Sequence, residues 1–148
     1  MVVCMKHLLD GKGFPAMKPG GVFKKRITRD IDPMHNRDLL ERVPHACISF
    51  ACEHGPQAQP VVLLWEDSRY LIGIPEHAGH RPDADQEVVL LVDDGVYFFD
   101  LRAIYIRGQA KPIATPRGAP ADQTWCEVVP LKTVAWDYGT LREVKDEH

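Results

Sequence analysis

Short apolar stretches, each closed by a turn signal, constrain this chain more than any other feature. Six such stretches lie between Ala46 and Trp136, with little between them that could form a helix. Ala46–Cys52 is apolar and partly β-branched, which suits a buried strand, and Glu53-His54-Gly55-Pro56 follows as a turn. Gln59–Trp65 and Arg69–Ile74 flank the polar tripeptide Glu66-Asp67-Ser68, a hairpin pattern. Pro60 stands at the start of one of these strands and Pro75 at the end of the other, where a missing N–H is tolerated. Glu87–Val92 ends at Asp93-Asp94-Gly95, and Asp-Gly accepts the positive φ angles of a primed hairpin turn. The pattern therefore predicts a fifth strand from Val96 through Phe99 and on to Gly108, as one bent strand or two. Trp125–Pro130 and Thr133–Trp136 form the last strand region, closed by Asp137-Tyr138-Gly139. Strands joined mainly by turns exclude a doubly wound α/β design and point to a mainly β fold, a six-stranded antiparallel barrel.

Helical signals are few. Asp32-Pro33 offers an N-cap followed by a first-turn proline, and Leu39, Leu40 and Val43 recur at helical spacing, so a short helix is expected over 33–42, stopped by Pro44. Residues 1–30 hold Gly11, Gly13, Pro15, Pro19, Gly20 and Gly21, and breakers at that density predict an irregular N-terminal arm ahead of a domain spanning 31–148. Glu76–Gln86 reads as a long polar loop and Pro112–Ala121 as a second; loops on a rigid barrel commonly carry binding groups.

Composition narrows the function. At 148 residues the chain has the size of one domain with a core of its own. A formal charge of −3 gives no long-range attraction to nucleic acid, and the basic run Lys24-Lys25-Arg26 is short. The four cysteines form no CxxC pair and suit reduced thiols in a cytoplasm, with Cys47 and Cys52 expected in the core. Met1–Asp10 is too short and polar for a signal peptide, and no run approaches a membrane span. His77 and His80 lack a third ligand at metal spacing, and the acidic pairs Asp93-Asp94 and Asp83/Asp85 sit on turns where carboxylates diverge, so no metal is expected. His45 and His54 flank the first strand as ordinary turn or surface residues. The phosphate-loop, dinucleotide and serine-esterase motifs are absent.

The order of these elements carries a resemblance. A short helix over Asp38-Leu39-Leu40-Glu41-Arg42 precedes a strand through Ser49-Phe50-Ala51, a turn with Gly55, then Gln59-Pro60-Val61-Val62 and Trp65. Tyr70–Ile74, Val88–Gly95, Ile104–Ala110 and Trp136-Asp137-Tyr138-Gly139 continue it, so that it spans roughly residues 36–142. This succession resembles the pyridoxamine 5′-phosphate oxidase-like flavin-binding split barrels. The resemblance implies a six-stranded split barrel with one or two short helices, and a homodimer with two flavin sites at the subunit interface. It also implies FMN or a deazaflavin as cofactor.

Carried onto this chain, the resemblance lays the strand from Gln59 to Leu63, with Pro60, Val61 and Val62 as its binding residues, along the flavin ring, where it offers backbone groups, and brings Ile74 and the residues after it toward the phosphate. Family members commonly place Lys or Arg with Ser or Thr there. This chain reads Pro75-Glu76-His77-Ala78-Gly79-His80-Arg81 instead, leaving His77, His80 and Arg81 as the cations of the loop, with Arg102 or Arg107 as additions from a barrel strand. Trp136 is a candidate to wall the pocket, and Trp65 a core residue. The implied activity is a flavin- or deazaflavin-dependent oxidoreductase acting on a small organic substrate, with no obligatory side-chain acid or base. The alternative is a split barrel without flavin, a dimeric module binding another small molecule, haem through a histidine among them.

Overall fold

The hairpins predicted from turn chemistry set the first strand neighbours, and the rest of the sheet grows from them. In the computed structural model, which describes residues 26–43, 45–140 and 142–144, the chain is mainly β. Two short strands, β1 (Arg26–Thr28) and β2 (Asp30–Ile31), lead into a 3₁₀ turn, Pro33–Asn36, and a helix, α1 (Arg37–Arg42). Strands β3 (His45–Cys52), β4 (Gly55–Pro60), β5 (Val62–Glu66), β6 (Arg69–Pro75) and β7 (Glu87–Asp94) follow. Then come β8 (Arg102–Pro112), β9 (Gln123–Asp137) and β10 (Arg142–Val144). The sheet runs β4-β3-β7-β8-β9-β6-β5, antiparallel throughout, with β2 added on β9 and β1 paired with β10 in a separate ribbon.

The topology forces the sheet to curl. Its two edge strands, β4 and β5, are consecutive in sequence and separated by Val61 alone. Two Cα–Cα steps reach no farther than about 7 Å, so the edges must meet at that corner. Val61 holds the corner through its N–H, which donates to Ala46 O at 3.1 Å. The strand faces that turn inward form the core. On β7 the pattern has period two, with Val88, Leu90 and Val92 buried and Val89 and Leu91 half-buried. Leu39 and Leu40 of α1 close one side of that core. Among the described residues no helix is long and apolar enough to cross a membrane.

The helix expected over 33–42 divides into the 3₁₀ turn and α1, and Asn36, which precedes α1, makes no side-chain capping bond. Asp32 accepts from Met34 N–H at 2.9 Å and so caps the 3₁₀ turn. At the other end Val43 adopts a left-handed conformation, φ 42°, and its N–H donates to Leu39 O. Arg102 of β8 clamps the helix, with Nη1 3.1 Å and Nη2 2.8 Å from the two oxygens of Asp38, while Arg42 pairs with Asp94. The hydrogen bonds from these arginines hold the Asp38 and Asp94 carboxyls below their usual range and raise both guanidinium groups.

Several sequence expectations need correction. Gln59–Trp65, read as one strand, is divided at Val61: Pro60 pairs with Cys47 on one side and Val62 with Gly73 on the other. One apolar run thus serves two hairpins, and with β2 this brings the large sheet to eight strands rather than six. The first turn shrinks to Glu53-His54, because Gly55, at φ +102°, already opens β4. The Asp67-Ser68 turn has positive φ at both positions, 50° and 61°, as a two-residue primed hairpin requires.

Val96–Phe99 is not a strand. Asp100 Oδ1 accepts from Val96 N–H at 3.1 Å and Tyr97 N–H at 2.7 Å, which occupies donors that a ladder would need, and Phe98–Asp100 winds into a 3₁₀ turn. The four apolar side chains consequently stand in solvent, Val96 at 85 % exposure. The last strand region is one continuous strand of 15 residues. Its register slips where Arg107 faces Lys132 and Gly108 faces Pro130, leaving Leu131 over as a bulge. A Cβ on Gly108 would lie 2.3 Å from Val129 O, so only glycine fits that crossing. Of residues 1–30, read as an irregular arm, 26–28 form β1 and Asp30 opens β2, while 1–25, like Pro44, lies outside the described residues.

Candidate functional site

Edge strands leave half of their main-chain donors and acceptors unpaired, so the corner where β4 passes into β5 is the natural place for a ligand to meet backbone. A cleft of about 530 Å³ opens there. Pro60, Val61 and Val62 form one wall, and Val43, Ala46 and Cys47 the other. Val62 remains 36 % exposed although it is a strand valine, which leaves part of an apolar side chain uncovered at the corner. His45 lines the same cleft and is exposed.

The polar loop that follows β6 reaches toward this corner. Gln59, next to Pro60, donates from Nε2 to His80 O at 3.2 Å, and Gln86 donates to Ala51 O at 2.5 Å, so the middle and the far end of the loop are tied to the β3–β4 hairpin. Beneath the loop lies a second cleft of about 310 Å³ lined by Cys52, His54, His80, Arg81, Asp83 and Gln86. The His54 and His80 rings stand 5.8 Å apart, centroid to centroid. Arg81 spends one Nη2 bond, 2.7 Å, on Glu76 O and is otherwise exposed. At the foot of the loop, where Gln123 pairs with Pro75, Gln123 Oε1 is buried without a hydrogen-bond partner.

The nine residues singled out from sequence do not all meet. Pro60, Val61 and Val62 line the corner, and His80 and Arg81 line the loop cleft. His77 is exposed on the same loop, whereas the Ile74 side chain, 2 % exposed, points into the core. Arg102 belongs to a third cleft of about 380 Å³ together with Ile31, Asp32, His35, Asn36, Asp137 and Thr140. Trp136 is half-buried, paired in register with Asp30 and Ala103, and Arg29 lies 6.0 Å above its ring. Within one chain these last two do not reach the corner.

Sequence reasoning took His45 for an ordinary turn or surface residue, and it placed Gln59 on the flavin strand without its bond to His80; no local motif marks either role, and register alone brings them to the corner. Cys47 and Cys52, expected in the core, are half-buried and each lines a cleft. The inert thiol is Cys126, which burial pushes up to about 11.

No protein-family model matches the chain, and no curated protein matches it. Solved structures do. The FAD-binding protein from Mycobacterium smegmatis superposes with a TM-score of 0.58 at 16% identity, over 72% of this chain and 95% of that one. An FAD-binding protein from Mesorhizobium loti gives 0.55 at 10% identity, over 75% and 96%. A heme-binding protein from Mycobacterium smegmatis gives 0.54 at 10% identity, over 77% of this chain and 58% of that one. The chain has the split-barrel fold. At these identities the likeness carries the fold, and the site must be argued from this chain's own residues.

Proposed function

We propose that the protein is a flavin-binding split barrel that holds FMN or a deazaflavin at the β4–β5 corner and serves oxidoreduction of a small organic substrate. The observation that carries this reading is the corner cleft itself. It presents an apolar wall, Pro60 to Val62, with a polar loop tied next to it through Gln59, which suits a planar ring with a polar tail, and its volume lies in the range of small-molecule sites. The Gln59–His80 tie sets Arg81, His77 and His80 on the loop beside that wall, where Arg81 is the guanidinium that would meet an anionic tail against the neighbouring carboxylates of Glu53 and Asp83. The residues present therefore fit a flavin. Bound there, a flavin supplies hydride and electron transfer; the chain's own residues orient the ring, shield one face from water and neutralise the phosphate.

The flavin- and heme-binding structures of the same fold support a small-molecule site of this kind. The exposed loop Val96–Phe99 supports a homodimer, because four neighbouring apolar side chains in water favour burial against a second copy. Arg102 and Trp136 then remain candidates to act across that interface.

One observation favours a second reading. His45 on the rim of an apolar cleft is the arrangement in which a histidine ligates haem iron. Titration of the purified protein with FMN, with a deazaflavin and with hemin, followed by absorbance and fluorescence, separates the two. Stoichiometric flavin binding at about 1 µM protein is the expected result, with Arg81→Ala weakening it about tenfold. Absence of flavin binding, together with a hemin spectrum that His45→Ala abolishes, would overturn the flavin reading in favour of haem.

A further inference from the structure

Register across five strands exposes a surface that the core does not use. Val88, Leu90 and Val92 of β7 are buried, so the residues between them stand on the outer face of the sheet. On that face Pro60 of β4 pairs with Cys47 of β3, Cys47 with Leu91 of β7, Leu91 with Tyr105 of β8, and Tyr105 with Val134 of β9. One apolar or aromatic row therefore crosses the sheet at right angles to its strands. Pro60 is exposed and the other four are half-buried, and none belongs to the core cluster or to the partly buried residues packed against it. An apolar run on both faces of β7 is the pattern of a strand that is covered from both sides.

The rows that flank this one carry opposite charge. Ser49, Val89, Arg107 and Lys132 pair in succession on one side, and His45, Asp93, Ala103 and Trp136 on the other. Arg107 lies 3.4 Å from Glu87 in an exposed ion pair, whereas Lys132 and Asp93 make no ion pair among the described residues. His45, opposite Asp93, is exposed.

We infer that this outer face is the docking surface for a second copy of the chain, stacked antiparallel about a two-fold axis that runs along the apolar row. Rotation about that axis lays row on row and exchanges the flanks, so Arg107 and Lys132 come to the side that holds Asp93 of the partner subunit. A two-fold running along the strands would instead bring the two Asp93 carboxylates together at the middle strand. The charge pattern is thus complementary to itself in the first arrangement, which a second copy satisfies and an unrelated partner has no reason to match. At about 4.8 Å between strands and about 7 Å between rows, the three rows cover on the order of 500 Å². The exposed Val96–Phe99 loop leaves β7 just past the Asp93 flank and adds a similar area, and together they reach the roughly 800 Å² per partner of a stable dimer. The inference rests on the homodimer of the proposed function and not on its flavin.

Sedimentation equilibrium of the full chain, with no cofactor added, tests it. A dimer at about 10 µM is expected. Leu91→Lys, at the middle of the row, should weaken the dimer about a hundredfold with the far-UV circular dichroism unchanged, since Leu91 lies outside the core. Val134→Lys, at the end of the row, serves the same purpose if Leu91→Lys folds poorly. Arg107→Glu and Asp93→Arg should each weaken the dimer about tenfold, and the two together should restore it, because the reversed charges again face each other. A monomer at about 100 µM, or a dimer that a folded Leu91→Lys or Val134→Lys leaves intact, would overturn the docking surface. A double reversal no tighter than either single one would overturn the antiparallel arrangement. Titration with FMN keeps the two readings apart: a monomer that binds FMN fails this inference alone, and a dimer that does not bind it fails the flavin reading alone.

Discussion

The corner cleft and the Asn36 cleft lie at the two ends of α1 and are built in opposite ways. The corner follows Val43, where the helix ends, and its walls come from two short stretches of sequence, 43–47 and 60–63. The Asn36 cleft precedes the helix and gathers residues from 31–36, from β8 and from 137–140. Its lining is polar and hydrogen-bonded, whereas the corner is lined mainly by apolar side chains. A surface free of packing duties can be specialised for a ligand at little cost in stability. A buried amide that ties two strands together has no such freedom.

This contrast predicts opposite phenotypes. Asn36→Leu should be the most damaging substitution, because it removes both Nδ2 bonds, which tie β8 to β9 from inside the fold; a loss of about 2 kcal/mol in urea unfolding is expected, with little direct effect at the corner. Val62→Asp should do the reverse. It is expected to leave the urea midpoint nearly unchanged yet weaken flavin binding about tenfold, since a carboxylate would face the ring and repel the phosphate. If Val62→Asp unfolds the protein while Asn36→Leu leaves stability unaltered, the two regions have been assigned the wrong way round.

Acid is the mildest perturbation and should not distinguish the clefts, because it acts on the clamp between them. The folded-state values of Asp38 and Asp94 lie below their ordinary ones, so their contribution is complete above the unfolded value, about 4, and is lost as pH falls through the lower folded values. Thermal stability should thus be flat from neutrality down to about pH 4 and decline below it. Asp38→Asn should flatten that decline, and the effect should be small because both carboxylates are substantially solvated.

Local chemistry made much of the fold legible. The Asp67-Ser68 hairpin, the cap at Asp32, the strand end at Pro75 and the period-two face of β7 each follow from residues close in sequence. The misreadings arose where a local signal had two outcomes. Val96–Phe99 has the composition of a strand, but Asp100 satisfies the donors at its start, and nothing in the pattern of apolar residues reveals that. Gln59–Trp65 reads as one strand because a division that inserts no glycine leaves no mark in composition. At the candidate site the contiguous wall Pro60–Val62, with Gln59 before it, was visible, while His45, the Gln59–His80 bond and the separation of Arg102 and Trp136 from the corner were not.

By itself, the sequence determined the class of the fold, its hairpins and the apolar segment from which the corner is built, because turn residues and side-chain alternation act over a few neighbours. Tertiary structure alone decided that β4 and β5 form the two edges of one curled sheet and that Asn36 bridges β8 and β9. It also decided that Arg102 is committed to Asp38. Those outcomes depend on register between strands distant in the chain, such as Ala103 against Trp136, and register is a property of the whole packed sheet.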